Sequence, residues 1–336
     1  MRIGDICVYA PKSQIKAGEA VEGAKYMFFT SGADENKRYC DYQLEGEGII
    51  MGTGGNATLH YYSGKYAVST DCVVLMPDEI VRCKYLYYFF KANINVLEAG
   101  FKGAGLRHTN KKYIDDIIIK NIPGYDEQDK IIRTLDKLQD IVDKRNHELC
   151  LLDSLIKARF IEMFSNNNYP ILKWREVFNT TTGRLDSNAS VENGKYPFFT
   201  CSKDILKIDS YAFDQKALLL AGNNAAGKYD VKYYSGKFNA YQRTYVLGLK
   251  DNWSYQLFKY QLEDKLTYLQ QQSLGGLTKY LTMKILEQLD FIVPPIEKQL
   301  EFDDFVKQVD KSKLAVQESL EKTQQLFDSL MQEYFG

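Results

Sequence analysis

Apolar side chains recur along residues 126–164 in alternating steps of four and three, which is the spacing of a helix with one narrow hydrophobic seam. The same seam returns in residues 296–336, and neither stretch contains Pro or Gly before Gly336. The pattern predicts two long helices, each spanning about 57 Å at 1.5 Å per residue. The seam positions include Leu135, Leu138, Val142, Leu149, Leu152, Val306, Val309, Val316, Leu320 and Phe327.

A helix of this length with a single apolar stripe needs a packing partner along its length. The predicted partner is its own duplicate. If a pseudo-twofold axis relates the two halves of the chain, the helices pack as an antiparallel coiled coil. Four polar residues interrupt the seam and would help to set its register: Arg145, Arg159, Lys313 and Thr323. The alternative is that each helix packs only on its own globular segment.

The two remaining segments have a mixed pattern with much strand. Residues 49–51 lead through a Gly-rich turn to Tyr61–Lys65, and residues 218–220 lead in the same way to Tyr233–Lys237. These stretches predict a strand, a turn, a second strand and then a tight turn at Ser-Gly. Short helices are predicted at 84–99 and 255–271, and apolar strands at 117–119 and 291–293. The predicted fold class is therefore α+β, with domains at 1–124, 125–165, 166–295 and 296–336 and a polar linker at 165–168.

The whole pattern is a duplication. Tyr26–Thr30 returns as Tyr196–Thr200, Gly105-Leu106 returns as Gly276-Leu277, and Gln128 returns as Gln299. A period of half the chain is far longer than that of solenoid repeats, which is about 20 to 50 residues, so the repeated unit is a whole domain with its connector. Two copies of one binding unit on one chain suggest a ligand that also has two parts.

Charge is distributed unevenly along the chain. The total is −1, but residues 1–125 carry a net charge of +1, residues 126–164 of −2, residues 165–295 of +4 and residues 296–336 of −4. The two helical segments are thus acidic and the two globular segments are mildly basic. A moderately basic surface is compatible with nucleic-acid binding but does not establish it.

No catalytic or metal-binding motif stands out. The six cysteines form no C-x-x-C pair, the three histidines are scattered, and no apolar run is long enough to cross a bilayer. We expect a cytoplasmic protein with no cofactor, no metal and no membrane association. Residues 222–228 match G-x-x-x-x-G-K, but Tyr229 stands where a phosphate-binding loop needs Ser or Thr. A turn within a sheet is the favoured interpretation, with Lys228 free to contact a phosphate.

Scaffold residues repeat between the two copies, whereas polar residues at equivalent places differ. Residues 105–112 lie opposite 276–284, and Thr70-Asp71 lies opposite Gln242–Thr244. Two domains that recognise different DNA sequences would share scaffold residues in this way and differ in their polar contact residues. Arg, Lys, Asn and Gln can pair with base edges, and Lys, Ser, Thr and Tyr can hold phosphates. The candidate DNA-binding residues are Arg107, His108, Lys111, Lys112, Lys228, Arg243, Lys279 and Lys284, each of which could instead be an ordinary solvated side chain.

The chain resembles the specificity subunits of type I restriction-modification systems. The resemblance covers the whole chain and is carried by Tyr233–Tyr245, Gly275–Leu277 and the Pro-Pro, acidic residue and Gln of Val293–Gln299. The first copy departs from this pattern, because Pro123 is followed by Gly124.

The resemblance implies a non-catalytic subunit with two target-recognition domains that read the halves of a bipartite double-stranded DNA target. The helical pair would set the spacing between the halves. The implied partners are two adenine-methylating subunits that use S-adenosylmethionine and a restriction subunit that translocates DNA. Two alternatives from other classes remain: a scaffold with two duplicated protein-binding domains, and an NTPase that uses residues 222–228.

Overall fold

The structure, a computed structural model, describes residues 1–32, 34, 36–105, 107–165, 168–225 and 227–336. The chain divides into two compact units. The first unit comprises Met1–His147 together with Gln317–Gly336, and the second comprises Glu148–Val316. Two residues of the predicted linker at 165–168, Asn166 and Asn167, lie outside the described residues.

The first unit contains a six-stranded sheet in the order β1-β6-β4-β5-β2-β3. Only the β2–β5 pair is parallel, and the other neighbours in this sheet are antiparallel. The strands are β1 (Cys7–Tyr9), β2 (Tyr26–Phe29), β3 (Arg38–Tyr39), β4 (Leu44–Gly52), β5 (Leu59–Val68) and β6 (Cys72–Pro77). The helices that follow are α1 (Cys83–Ala92), α2 (Ile94–Ala99), α3 (Lys111–Asp115) and the long α4 (Tyr125–Phe164).

The second unit repeats this topology. The remaining elements of the chain are β7 (Ile171–Lys173), α5 (Trp174–Val177), β8 (Phe178–Thr182), β9 (Tyr196–Phe199), β10 (Leu206–Ile208), β11 (Phe213–Ala221), β12 (Asn223–Asn224), β13 (Val231–Ala240), β14 (Thr244–Leu249), α6 (Tyr255–Asp264), α7 (Leu266–Gln272), β15 (Lys279–Tyr280), α8 (Met283–Leu286), β16 (Asp290–Ile292) and α9 (Ile296–Phe335). The end of α9, from Gln317 onwards, belongs to the first unit. Six of the strands form a sheet in the order β10-β9-β13-β11-β14-β8, again with one parallel pair, β9–β13. Two short antiparallel pairs, β7–β16 and β12–β15, complete the unit. The predicted α+β class is confirmed.

The central hairpin is β4–β5 in the first unit and β11–β13 in the second. Its first strand changes from exposed to buried along its length in both units. In β4 the stretch from Glu45 to Glu47 is exposed and the stretch from Gly48 onwards is buried, and β11 shows the same change between Lys216 and Ala217. The strand ends that carry the next turn are therefore covered on both faces and read as apolar runs rather than as an alternating pattern. This packing fixes the position of the loops that leave the buried ends.

Two predicted turns and two predicted helices differ in the structure. The Ser-Gly pairs at 63–64 and 235–236 form no tight turn, since both lie inside unbroken strands, with φ of 140° at Gly64 and 129° at Gly236. Glycine accepts this left-handed backbone without ending the strand. The predicted helix 84–99 is also divided at Asn93, whose side-chain amide donates to the carbonyl oxygen of Phe89 at 3.0 Å and competes with continuation of the helix. A matching break at Lys265 divides the predicted helix 255–271 into α6 and α7.

The core of the first unit combines the sheet, α1 and segments of both long helices. Ile49 and Leu75 of the sheet pack with α1, with Leu135 of α4 and with Phe327 of α9. Leu135 is fully buried. Burying a side chain of this kind stabilises the fold by about 1.5–3 kcal/mol. The unit thus depends on residues 317–336, which come from the opposite end of the sequence.

The helix segments of the first unit run antiparallel, as contacts along α1 show. From its N-terminus to its C-terminus, α1 meets later residues of α4 and earlier residues of α9. The contacting pairs are Arg82 with Asp129, Tyr85 with Phe335, and Tyr88 with both Asp136 and Phe327.

In the second unit, two ion pairs join the helices in the same antiparallel sense. Arg159 Nη2 lies 2.7 Å from Glu301 Oε1, and Lys313 Nζ lies 2.5 Å from Asp153 Oδ1. Two of the polar interruptions of the predicted seam are therefore paired across it. Among the predicted seam residues, Leu135, Val142, Val306, Val309, Val316 and Phe327 are buried, and Leu138, Leu149, Leu152 and Leu320 are half-buried. In the described part of the chain, no helix is both long and apolar enough to cross a membrane.

Candidate nucleic-acid interface

Three loops of the first unit meet at the buried end of its central hairpin. They are residues 53–58 between β4 and β5, residues 69–71 between β5 and β6, and residues 102–110 between α2 and α3. Thr53 joins them, because its amide donates to the carbonyl oxygen of Asp71 at 2.8 Å and its carbonyl accepts from the amide of Thr109 at 3.0 Å. We call this arrangement the three-loop face.

The second unit builds the same three-loop face from residues 222–230, 241–243 and 274–281. Gly222 takes the place of Thr53: its amide donates to the carbonyl oxygen of Arg243 at 2.8 Å, and its carbonyl accepts from the amide of Leu281 at 2.8 Å. A side chain at position 222 would collide with that Arg243 oxygen, since an added Cβ would lie 2.3 Å from it. Glycine is therefore needed for the close approach.

The third loop of each face is a small hairpin with the same closing pair. The backbones of Lys102 and His108 exchange two hydrogen bonds of 2.9 and 3.0 Å, and those of Leu274 and Tyr280 exchange two of 3.0 and 2.9 Å. The structural register between the hairpins is thus shifted by one position from the sequence register that pairs Gly105 with Gly276. By the structural register Arg107 corresponds to Lys279, and Lys112 corresponds to Lys284. Leu106, which the sequence repeat paired with Leu277, lies outside the described residues.

Four of the predicted DNA-binding residues lie on or beside the face of the first unit, all exposed. Arg107 Nη2 donates to Asn56 Oδ1 at 2.7 Å, which links the hairpin to the first loop. His108 is in the closing pair of the hairpin. Lys111 and Lys112 open α3, and Lys111 Nζ lies 4.3 Å from the centre of the Tyr9 ring, a cation–π contact.

The other four lie on or beside the face of the second unit. Lys228 is exposed in the first loop, where its backbone amide donates to Asn224 Oδ1 at 3.3 Å. Arg243 is the exposed last residue of the second loop, and Lys279 is half-buried in β15. Lys284 is exposed in α8, directly after the third loop. The structure therefore gathers the predicted residues into two sets of four, one on each unit.

The structure agrees with the predicted turn within a sheet at residues 222–228 rather than with a phosphate-binding loop. A phosphate-binding loop opens a helix, whose N-terminal amides face the phosphate. Here Tyr229 is buried, and the chain continues into strand β13. The segment is a turn between two strands, with Ala226 outside the described residues.

Sequence reasoning missed a hydrogen-bonded cluster on the first face. The carboxylate of Asp71 accepts from the hydroxyl groups of Ser31, at 2.5 Å, and Ser69. Burial opposes ionisation of Asp71, but hydrogen bonds from the two hydroxyl groups and from the backbone of Asp71 and Ser31 outweigh it and lower the pKa of this carboxyl. The only sequence signal for this cluster was the alignment of Thr70-Asp71 with Gln242–Thr244 between the two copies. That alignment identifies the turn but does not indicate Ser31.

Also on this face is a cavity of about 170 Å³ lined by Lys12, Lys111, Thr53, Thr70 and Asn110 among others. Its lining combines ammonium, hydroxyl and amide groups. Such groups hold phosphate oxygens in protein–DNA interfaces. Lys12 was another residue that the sequence pattern did not single out.

Comparison with known proteins supports one family. The profile described as "Type I restriction modification DNA specificity domain" matches residues 1–150 and 166–325. The specificity subunit of the type I restriction enzyme EcoDI from Escherichia coli is 36% identical over 150 residues, which cover 43% of this chain and 32% of that protein. The specificity subunit of the type I restriction enzyme MjaVIII from Methanocaldococcus jannaschii is 24% identical over 180 residues, covering 50% of this chain and 42% of that protein.

A solved structure shares the fold along the entire chain. The S subunit of a type I restriction-modification system from M. genitalium superposes with a TM-score of 0.70 and 15% sequence identity, covering 100% of this chain and 95% of that one. At this identity the likeness concerns the fold alone. The matches to the two curated relatives, by contrast, span less than half of each relative's length.

Proposed function

The chain belongs to the family of type I restriction-modification DNA specificity proteins, and we propose that it is the subunit that recognises a bipartite double-stranded DNA target. The observation that carries the proposal is the recurrence of the three-loop face. Each unit presents the same backbone frame with basic side chains on it, as two readers of two half-sites require. In this proposal residues 1–124 and 166–295 are the target-recognition domains, and the subunit itself catalyses no reaction.

Linking two weakly binding faces on one chain raises the affinity of the chain for DNA. Each face offers few cations, and the net charges of +1 and +4 on the two globular segments are modest. When two sites on one chain engage one duplex, the second contact forms at a high effective concentration, so overall affinity exceeds that of either face. Phosphate contacts supply affinity and base contacts supply specificity.

The proposal assigns the long helices the role of a ruler between the half-sites. Each is 40 residues long, which corresponds to about 60 Å of continuous helix. The antiparallel pairing seen inside each unit supports a stiff element, because both apolar seams are covered. The length of this element would then set the number of base pairs between the half-sites.

Repeated exposed apolar side chains on these helices support docking of two copies of one partner. Tyr125 and Ile296 are 41% and 43% exposed, and Leu155 and Leu326 are 46% and 50% exposed. The members of each pair occupy equivalent positions of the duplication, so the same feature occurs once per repeat. We propose that two adenine-methylating subunits bind there, and that a restriction subunit joins the complex for cleavage.

The proposal is tested by the salt dependence of binding to random-sequence duplex DNA. The logarithm of the binding constant falls with the logarithm of salt concentration by about 0.9 per phosphate contact. Replacing Arg107, Lys112, Lys279 and Lys284 together by Gln should reduce that slope by up to about 4. Replacing Lys144, Lys307, Lys311 and Lys322, exposed on the long helices, by Gln is the matched control and should change it little.

An unchanged slope in the loop variant would contradict the proposed interface. Wild-type protein that shows no salt-dependent DNA binding, yet co-purifies with a protein partner, would favour the scaffold alternative. Mapping of methylated adenines in cells that carry the chain with its modification subunits should then show two separated half-sites.

A further inference from the structure

The second loop of the three-loop face is a turn held in the same way in both units. In each turn, one backbone amide donates to β2 or its counterpart β9. The next amide donates to the segment that follows β1 or its counterpart β8, and a backbone carbonyl of the turn accepts from the first loop. In the second unit the bonds are Tyr241 N to Phe199 O at 2.9 Å, Gln242 N to Leu185 O at 2.9 Å, and Gly222 N to Arg243 O at 2.8 Å. In the first unit they are Ser69 N to Phe29 O at 2.9 Å, Thr70 N to Ile15 O at 2.8 Å, and Thr53 N to Asp71 O at 2.8 Å.

Because these backbone frames agree, Asp71 and Arg243 leave the same point of their respective turns with opposite charge. The Asp71 carboxylate is drawn back into its own unit by Ser31 and Ser69. The Arg243 side chain is exposed, and its guanidinium has no hydrogen-bond or ion-pair partner among the described residues. The charge on the first turn is therefore satisfied by hydrogen bonds within the unit, whereas the Arg243 guanidinium on the second turn has five N–H donors available to a ligand.

The turn beneath Arg243 is rigid. Gln242 Nε2 donates to Asp186 Oδ1 at 3.1 Å, which ties the turn to the loop after β8. Gly183 in that loop passes so close that an added Cβ would lie 1.8 Å from the carbonyl oxygen of Ala240. The hydroxyl of Tyr245, the second residue after Arg243, donates to the carbonyl oxygen of Leu281 and so braces the third loop. A charged side chain on a fixed platform is the arrangement that selective recognition needs.

The side-chain chemistry of the second face distinguishes a candidate base-contacting residue from candidate phosphate-contacting residues. Arg243 is the only arginine in the sequence of the three loops of the second unit, where the other cations are lysines. Lysine offers a compact charge that suits phosphate, whereas the planar guanidinium pairs bidentately with O6 and N7 of guanine in the major groove.

We infer that Arg243 contacts a guanine base in the half-site bound by the second unit, and that Asp71, at the equivalent position of the first unit, contacts no base. The two half-sites would therefore differ at this matched position. This inference rests on the proposed function and deepens it, since it names a residue and a base.

The experiment uses the full chain purified with its modification subunits and a library of random duplexes. Sequencing of the bound fraction gives the consensus for wild type, R243K, R243A and D71N. Wild type should yield a guanine that R243A loses, with discrimination at that base pair falling by about 5-fold to 150-fold. R243K should weaken the preference without removing it, because a lysine can still donate to guanine but lacks the planar fork of the guanidinium. All other positions should keep their preference. D71N should leave every base preference unchanged, because the Asp71 carboxylate is engaged by Ser31 and Ser69 rather than by DNA.

The variants are chosen so that a phosphate contact gives a different result. R243A removes the charge and all the donors together, so a phosphate-binding Arg243 would give weaker binding of R243A to all duplexes with the guanine preference intact, and that result overturns the inference. K279A, the matched control, should weaken binding to all duplexes alike. A new base preference in D71N would overturn the assignment of Asp71. Failure of the wild type to enrich any sequence would overturn the proposed function itself, and the inference with it.

Discussion

At the scale of single residues, two buried glutamines show how a repeated residue builds the frame. Gln128 Oε1 accepts from the amide of Arg82 at 2.7 Å, and Gln299 Oε1 accepts from the amide of Ser254 at 2.9 Å. Each side chain also donates to a proline carbonyl just before its long helix, that of Pro123 at 2.8 Å or Pro294 at 2.7 Å. Each glutamine thus anchors the start of a long helix to the short helix beside the sheet.

Replacing Gln299 by Ala should destabilise the second unit by about 2–4 kcal/mol, because it leaves the Ser254 amide and the Pro294 carbonyl buried without partners. The measurement is urea unfolding followed by circular dichroism. Gln308 lies on the same helix with an exposed side chain, so its replacement by Ala is the control and should cost less than about 0.5 kcal/mol. Equal effects of the two substitutions would show that Gln299 does not anchor the helix.

At the scale of secondary-structure elements, the seam of the long helices could be recognised because its period is local. A side chain returns to the same face of a helix every three or four residues, whatever the rest of the molecule does. The strands were less certain. The stretch around Gly64 looked like a turn because glycine is frequent in turns, yet the backbone pairs with β4 on both sides of it. Strand continuity depends on a partner that is remote in sequence.

Inserting one heptad after Leu138 keeps the seam in phase and lengthens the helix by about 10 Å, or about three base pairs at 3.4 Å each. The expected result is a longer spacer between the half-sites, read by mapping methylated adenines. An insertion of two residues is the control, since it turns the following seam by about 200° and should abolish stable folding. A functional protein with the original spacer after the heptad insertion would refute the ruler.

At the scale of the whole molecule, the first compact unit is not a continuous piece of the sequence, whereas the second, Glu148–Val316, is. The first unit is completed by residues 317–336, where Phe327, Met331 and Phe335 join its core. In the second unit, Ile156 and Phe164 of α4 pack with the beginning of α9. The end of α4 and the end of α9 are equivalent segments of the duplication, so each half of the sequence supplies the same kind of helix segment.

The fragment 1–165 should therefore form a dimer, because residues 148–164 of one copy can supply to the other what residues 317–336 supply in the intact chain. Light scattering after size-exclusion chromatography measures the mass. The fragment 1–147 retains the apolar stripe of α4 but lacks the segment that would cover it, so it should aggregate or stay unfolded. A stable, folded monomer of 1–165 would show that the first unit does not need the added helix.

The sequence was enough to predict the duplication, the two long helices, the α+β class and the eight candidate contact residues, which the structure places on or beside two loop assemblies. It could do so because helical period, charge and repeated motifs are properties of neighbouring residues or of whole segments. Only the folded chain shows that Ser31 and Ser69 donate to Asp71, that Arg243 is exposed on an equivalent turn, and that the first unit is completed by a helix segment from the other end of the chain. Those features come from contacts between residues far apart in sequence, and no local pattern encodes which distant group will lie within hydrogen-bond distance.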